Sequence, residues 1–351
     1  MPGCLGTRGW HTGGVTLGRS DVQRLLAEHG LAPRRSLGQN FVADANTVRR
    51  IVRLADVRAG SPVVEIGAGL GSLTLALVEV GASVTAVEVD PALCRVLREQ
   101  PALAGVRVVE ADATRLDWDV LLAGAPGGLP PTGTTGGRSG VVAEDGSLSD
   151  AGSLSEADAV RWEPDRTPGQ ARASSAWTLV ANLPYNVATP LVVDVLERAP
   201  AVRSLLVMVQ REVGERFAAS PGSGAYGAVS VKIAYWASAS VVGRVPASVF
   251  VPRPRVESVL VRLERHPVPV EPSWRADGVS YQRLFAVVRA GFAHRRKMLR
   301  RALDGVVPPA AFGATGIPDT ARAEELALDQ WAALASWELP ARPGHEHPVV
   351  A

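Results

Sequence analysis

Asn182-Leu183-Pro184-Tyr185 puts a carboxamide, a main-chain carbonyl ahead of a proline, and an aromatic ring within four residues, at the end of a run that reads as a strand. That set suits an amine conjugated to a ring, of which the N6 of adenine is an example. Its lone pair is delocalised, so it is a poor nucleophile until two acceptors hold its N–H bonds and draw it toward a tetrahedral shape. The Asn182 side-chain oxygen and the Leu183 carbonyl can be those acceptors. Pro184 biases the residue before it toward extended geometry, and Tyr185 offers a face for stacking, as enzymes acting on extruded bases need. Four residues alone also fit an ordinary strand-to-loop turn, so the weight falls on their surroundings.

Glu65-Ile66-Gly67-Ala68-Gly69-Leu70-Gly71 follows a buried-strand pattern and opens a helix. Glycines allow a sharp turn and close approach of backbone to ligand. A dinucleotide site would want G-x-G-x-x-G, whereas here the third glycine, Gly71, falls one place early and Ser72 takes its position. The E-x-G-x-G-x-G form resembles S-adenosylmethionine-dependent methyltransferases. Glu88 ends the next strand, where a carboxylate can accept both hydroxyls of a ribose. Asp112 follows the third strand and can accept from an adenine amine. Each acid alone fits a solvated strand end; in a row after successive strands, with the glycines and Asn182, they form a site.

The elements that must position these groups alternate. Strands are expected over 63–66, 83–89, 106–110, 178–182 and 204–209, and helices over 21–29, 72–80, 91–100, 189–198 and 211–219, with two further strand-like runs at 229–237 and 258–263. Such alternation predicts an α/β fold, Rossmann-like, with a mostly parallel central sheet covered by helices on both faces. The Gly/Pro/Ser-rich tract 124–176 has neither period and reads as a disordered insertion. Beyond the proline-rich stretch near 267 only helices are expected, over 281–291, 294–303, 309–312, 321–326 and 329–337. The domain reading is an N-terminal extension (1–20), a catalytic domain (21–266), a small C-terminal helical domain (267–340) and a tail (341–351).

Of 351 residues, 46% are hydrophobic and 21% charged, as in water-soluble globular proteins. Charged residues interrupt every apolar run before it reaches membrane-spanning length, and the first twenty residues lack the apolar core of a signal peptide. Two cysteines suggest no disulfide framework and fit a reducing cytoplasm. Six scattered histidines suggest no metal site. Seven acids and four arginines fall between Gly124 and Ala176, a net of −3, which leaves +5 for the rest of a chain totalling +2.

Taken together, the chain resembles the ribosomal RNA adenine N6-dimethyltransferases, with their bacterial small-subunit branch as the better match. The resemblance rests on Leu37-Gly38-Gln39-Asn40-Phe41-Val42, the glycine loop, Val87-Glu88-Val89-Asp90, Glu110-Ala111-Asp112-Ala113 and Asn182 through Pro190. It continues in Gln210-Arg211-Glu212-Val213, Pro221 through Gly227 and Phe250 through Ser258. Ala68 stands where proline is commoner, and Val42 where leucine is usual. The resemblance implies that Asn40, Val42, Gly67, Glu88, Asp112 and Asn182 contact S-adenosylmethionine, with Gly69 and Gly71 completing the loop, and that Tyr185 and Phe250 sandwich the target adenine. It implies dimethylation of two adjacent adenosines in the hairpin near the 3′ end of small-subunit ribosomal RNA, late in 30S biogenesis, by a monomer acting on the 30S particle or its precursor. Arg295, Arg296 and Lys297 with Arg300 and Arg301, at the start of an expected helix, would contact RNA phosphates. Arg34, Arg35, Arg253 and Arg255 would extend that surface. The rivals are the large-subunit dimethyltransferases of macrolide resistance, sharing fold and chemistry, and a non-catalytic ribosome-assembly or transcription factor; a dehydrogenase fails on the glycine spacing.

Overall fold

The computed structural model describes residues 16–34, 37–123, 176–184, 187–267 and 279–337. The expected insertion, apart from Ala176, therefore lies outside the described residues. So do most of the proline-rich stretch and the tail.

The chain enters through α1 (Arg19–Glu28), a two-residue strand β1 (Phe41–Val42) and α2 (Ala45–Leu54). It then alternates through β2 (Pro62–Ile66), α3 (Ser72–Glu79), β3 (Ser83–Glu88), α4 (Pro91–Glu99), β4 (Arg107–Glu110), α5 (Trp118–Ala123), β5 (Trp177–Asn182), α6 (Ala188–Arg198), β6 (Val202–Gln210) and α7 (Arg211–Phe217). Helix α8 (Ala228–Trp236) runs directly into β7 (Ala237–Val245), followed by β8 (Phe250–Val251) and β9 (Ser258–Arg265). Helices α9 (Tyr281–Ala293), α10 (Leu299–Ala302), α11 (Ala310–Thr315) and α12 (Leu328–Ala335) close the described chain.

Seven strands form one sheet in the order β4-β3-β2-β5-β6-β9-β7. The first five are parallel, while β9 runs antiparallel between β6 and β7. Helices cover both faces, so the central strands are apolar on both sides rather than alternating. On one face Val48, Ile51 and Val52 of α2 meet Leu73, Ala76 and Leu77 of α3 over Val63, Val84 and Val180. On the other, Trp118 and Leu121 of α5 and Leu191 and Val195 of α6 pack on Val64, Leu179, Val207 and Val261.

Three sequence expectations change. The run 229–237 is helix α8 up to Trp236, and the edge strand begins only at Ala237. Its alternating Val-Ser-Val-Lys-Ile pattern suits a strand locally, but Ile233 packs into the sheet core and Val231 and Tyr235 into the C-terminal helical core. A helix buried on two sides carries no single apolar stripe. The expected helix 294–303 is helical only over Leu299–Ala302, with Arg295, Arg296 and Lys297 in the turn between α9 and α10. The described chain also starts before residue 21: Thr16 and Leu17 are buried and α1 begins at Arg19.

The C-terminal helices do not form a core alone. Tyr226, Val231 and Tyr235 join Leu284, Phe285, Val288, Leu299 and Trp331 in one apolar cluster. Glu197 of α6 ties the junction: its carboxylate takes Lys232 Nζ at 2.7 Å and the Tyr281 hydroxyl.

Gly291 of α9 faces Trp331 of α12 so closely that a Cβ would stand 2.4 Å from the indole. Gly291→Ala gains about 1 kcal/mol of helix propensity and loses about 1–3 kcal/mol to overpacking. The expected outcome is a lower urea midpoint than wild type; an unchanged or raised midpoint would show that the indole has room to retreat.

Candidate active site

Strand order reverses between β2 and β5. From β2 the chain winds outward through β3 and β4, then returns to place β5 on the other side of β2. Loops leaving the carboxyl ends of β2 and β5 diverge there and open a crevice, the usual ligand site of such sheets. The glycine loop leaves β2 at that point, and Asn182 is the last residue of β5.

The crevice is a cavity of about 250 Å³. Asn40, Val42, Gly67, Gly69, Glu88, Asp112, Asn182 and Pro184 all line it. Gly67, Gly69 and Gly71 have φ of 73°, 60° and 89°, which is the left-handed region that side chains avoid. At Gly69 a Cβ would also stand 3.1 Å from the Phe41 ring. Gly71 is not part of the wall: a Cβ there would meet Leu97 and Leu103, so this glycine serves the packing of α3 against α4.

Glu88 is 5% exposed and accepts three backbone N–H bonds, from Gly69 (2.8 Å) to Oε2 and from Val89 (2.9 Å) and Asp90 (3.0 Å) to Oε1. A carboxylate has about four lone-pair sites, so acceptor capacity remains on the cavity side. Burial pushes this carboxyl upward, the three N–H groups oppose that shift, and the nearby Asp90 charge adds to it. Asp112 is exposed at the far wall, where Thr114 N–H and hydroxyl bonds to its Oδ1 hold its carboxyl below the ordinary range.

Asn182 donates its amide to the Asn40 carbonyl at 3.0 Å, which orients its Oδ1 as the acceptor end. Leu183 continues the pairing on β6 through its N–H to Met208 O (3.1 Å), and its side chain is buried in the core, so its main chain is fixed. Pro184 O accepts from Val187 (3.2 Å) and Ala188 (3.1 Å) and starts α6.

Phe250 departs from expectation. Its ring is 1% exposed, packs with Val42, Met208 and Leu260, and does not line the cavity. It pairs through β8 with Val42 of β1, while Arg19 donates to Ser248 O (2.6 Å) and Phe250 O (3.3 Å). Turning that ring out would forgo about 1.5–3 kcal/mol of burial, close to the roughly 1–3 kcal/mol that stacking one base returns. Phe250 in this state holds the floor of the ribbon rather than one side of a base sandwich. Tyr185, the other expected ring, lies outside the described residues, as does Arg35.

Residues 30–338 match the family model of the ribosomal RNA adenine dimethylases. The chain belongs to this family. It is an S-adenosylmethionine-dependent ribosomal RNA adenine dimethyltransferase. The chain is 39% identical over 334 residues to the ribosomal RNA small subunit methyltransferase A of Bifidobacterium adolescentis, covering 93% of this chain and 95% of the relative. The protein of the same name from Leifsonia xyli is 43% identical, over 91% of this chain and 98% of its own length. Among solved structures, a dimethyladenosine transferase from Plasmodium falciparum has the same fold at 17% identity (TM-score 0.58, 84% of this chain and 95% of the other). The 23S rRNA methyltransferase ErmE shares it at 23% identity (TM-score 0.54, 84% and 98%).

For such an enzyme the expected basic residues divide into two groups. Arg295 is occupied: its Nε pairs with Glu324 at 2.6 Å and its Nη2 donates to Gly224 O at 2.9 Å, holding the loop before α8. Arg300 pairs with Asp319 at 3.3 Å, and Arg34 with Asp90 at 3.4 Å. Arg296, Lys297 and Arg301 are exposed beside them. Arg253 and Arg255 are exposed as well and border a second, open hollow with Pro246, Ser248 and Glu257.

Sequence reasoning assigned no role to three residues that the structure places at the cleft. Gln39 and Glu65 line it, and Asp90 stands behind Glu88. Asp90 before Pro91 is a helix-cap signature, which hid its second use. Glu65 was visible only as the first letter of the glycine motif. It is 2% exposed, and its Oε2 has no hydrogen-bond partner among the described residues.

Burial pushes the Glu65 carboxyl up to about 8 from 4.5; the Thr74 hydroxyl opposes this and the Glu88 charge adds to it. The folded state thus keeps a proton that the unfolded chain releases above about 4.5. Stability from this group is full at acid pH, drains as pH rises toward about 8, and is flat beyond. Glu65→Gln lacks that slope. Its stability relative to wild type, read from urea midpoints at three values between pH 5 and pH 8, is expected to rise with pH; a constant difference would show that Glu65 is already ionised in the fold.

Proposed function

We propose that this enzyme methylates N6 of two adjacent adenosines in the 3′-terminal hairpin of small-subunit ribosomal RNA, giving N6,N6-dimethyladenosine, late in 30S assembly. The carrying observation is the oriented Asn182 amide at the strand crossover, beside the glycine loop and opposite Glu88. Support for the small subunit comes from relatives of that name at 39% and 43% identity over nearly their whole length. The enzyme acts as a monomer on the 30S particle or its precursor, in the cytoplasm. No described helix is long and apolar enough to cross a membrane.

The cleft fits S-adenosylmethionine: left-handed glycines give backbone access, and the Glu88 carboxylate has acceptor capacity for ribose hydroxyls. Asn40, Val42, Gly67, Gly69, Glu88, Asp112 and Asn182 would hold it. The bound cofactor supplies an electrophilic methyl group on a sulfonium. The chain's own task is to aim the amine. Asn182 Oδ1 and the Leu183 carbonyl accept its two N–H bonds, draw its lone pair out of conjugation and stabilise the charge that develops on nitrogen. Tyr185 stacks on the base. No strong base is required, since the methylated ammonium is acidic and releases its proton to water. Holding both partners in line supplies much of the acceleration.

Incubating the protein with undermethylated 30S particles and labelled S-adenosylmethionine, then analysing nucleosides, should yield N6,N6-dimethyladenosine. Label entering 23S transcripts in place of 30S particles would instead assign the enzyme to the large subunit. Asn182→Ala is expected to lower kcat by about 10²–10³ while leaving the thermal midpoint near wild type. Retention of kcat would remove the amide from the mechanism.

RNA affinity should depend on the exposed turn. Neutralising Arg296, Lys297 and Arg301 singly is expected to reduce the slope of log affinity against log salt by about 1 for each phosphate that no longer meets a cation. An unchanged slope would place the RNA elsewhere.

A further inference from the structure

Residues 37–42 cross the mouth of the cofactor cleft as a strap, contributing Leu37, Gly38, Gln39, Asn40, Phe41 and Val42 to its lining. One end of that strap is fastened by β1, which pairs with β8. The other end is fastened differently. Asp90, whose side chain is 6% exposed, accepts at Oδ2 from Gln39 Nε2 at 3.2 Å and pairs there with Arg34 Nη1 at 3.4 Å. Gln39 Oε1 in turn accepts the Arg34 backbone N–H at 2.8 Å, and the Arg34 carbonyl accepts from Leu37 and Gln39, both at 3.2 Å.

The same Asp90 donates its backbone N–H to Glu88 Oε1 at 3.0 Å, and its Oδ1 caps α4 through Ala92 at 3.0 Å. One residue therefore joins the cavity-facing carboxylate to the strap. Its buried charge has Arg34 as its cationic partner, and a buried carboxylate without a cation is costly.

We propose that Arg34, Gln39 and Asp90 form a clasp that seats the strap on bound cofactor, with Arg34 and Gln39 as positioning residues rather than RNA contacts. This rests on the reading of the cleft as the S-adenosylmethionine site. Arg34 is exposed, which weakens its pair by solvent screening, so the expected effect is moderate.

The test is calorimetric titration of the full chain with S-adenosylhomocysteine, without RNA. Arg34→Gln, Gln39→Ala and Asp90→Asn should each weaken binding about 5-fold, on the scale of one partly exposed charge-assisted bond. Asn at position 90 keeps the helix cap through its amide oxygen and replaces the clasp-side acceptor by an NH2 donor, which removes both the charge and the bond from Gln39. The Arg34→Gln/Asp90→Asn double variant should bind no more than about 2-fold worse than the weaker single, as coupled partners do, and Arg34→Lys should recover most of the affinity. In turnover, the change should appear in KM for the cofactor more than in kcat. The clasp is overturned if Arg34→Gln and Gln39→Ala bind the probe as wild type does. It is equally overturned if Arg34→Gln lowers RNA affinity and its salt slope with cofactor affinity intact, for Arg34 would then be a phosphate contact. Because the calorimetric titration needs no RNA, a wrong choice of ribosomal subunit leaves that measurement standing.

Discussion

At the end of β3 a carboxylate sits almost out of water, and three main-chain N–H groups converge on it. Hydrogen bonds to a charged group are about twice as strong as neutral ones, and losing the carboxylate would strand three donors in a dry place. The Gly69 bond reaches across from the loop after β2, so this one side chain sets the distance between two neighbouring strand ends. The glycine loop and the strap are both tied to it. The left-handed glycines give the loop the shape that lets Gly69 N–H point there, and the Asp90 N–H starts the path that leads to the strap.

A second link joins the far side. Asn40 accepts from Asn182, so the strap that lines the cleft also orients the amide at the end of β5. Beyond it, β1 and β8 pair, and Ala43 N–H reaches Val249 O at 2.7 Å. The ribbon carries Phe250 on its buried side, with Arg253 and Arg255 following in exposed positions. The cleft and the ribbon are thus continuous through the hydrogen bond of the Asn182 amide and a few backbone pairings.

The cleft was legible in the sequence because its groups are local: a strand pattern, then glycines; a strand pattern, then Glu88; a strand pattern, then Asn182. What the sequence hid was long-range. Phe250 reads as an aromatic near a loop, and only the pairing of β8 with β1 reveals that its ring lies beneath that ribbon. Arg295 reads as one charge of a basic run, and nothing nearby in sequence announces Glu324 or the Gly224 carbonyl. Gly71 sits in the motif like its two neighbours but packs against Leu97 and Leu103. In α8 the local period of two conflicted with burial on two sides, and tertiary packing overrode it.

Helix α8 passes directly into β7, with Trp236 ending the helix and Ala237 opening the strand, so no residue separates that helix from the edge of the sheet. Since α8 donates Val231 and Tyr235 to the helical core, that core is mounted on the edge of the sheet like a bracket on a beam. The exposed Arg296–Lys297 turn, which leaves α9 of that core, is thereby carried on the sheet through shared packing rather than by a core of its own.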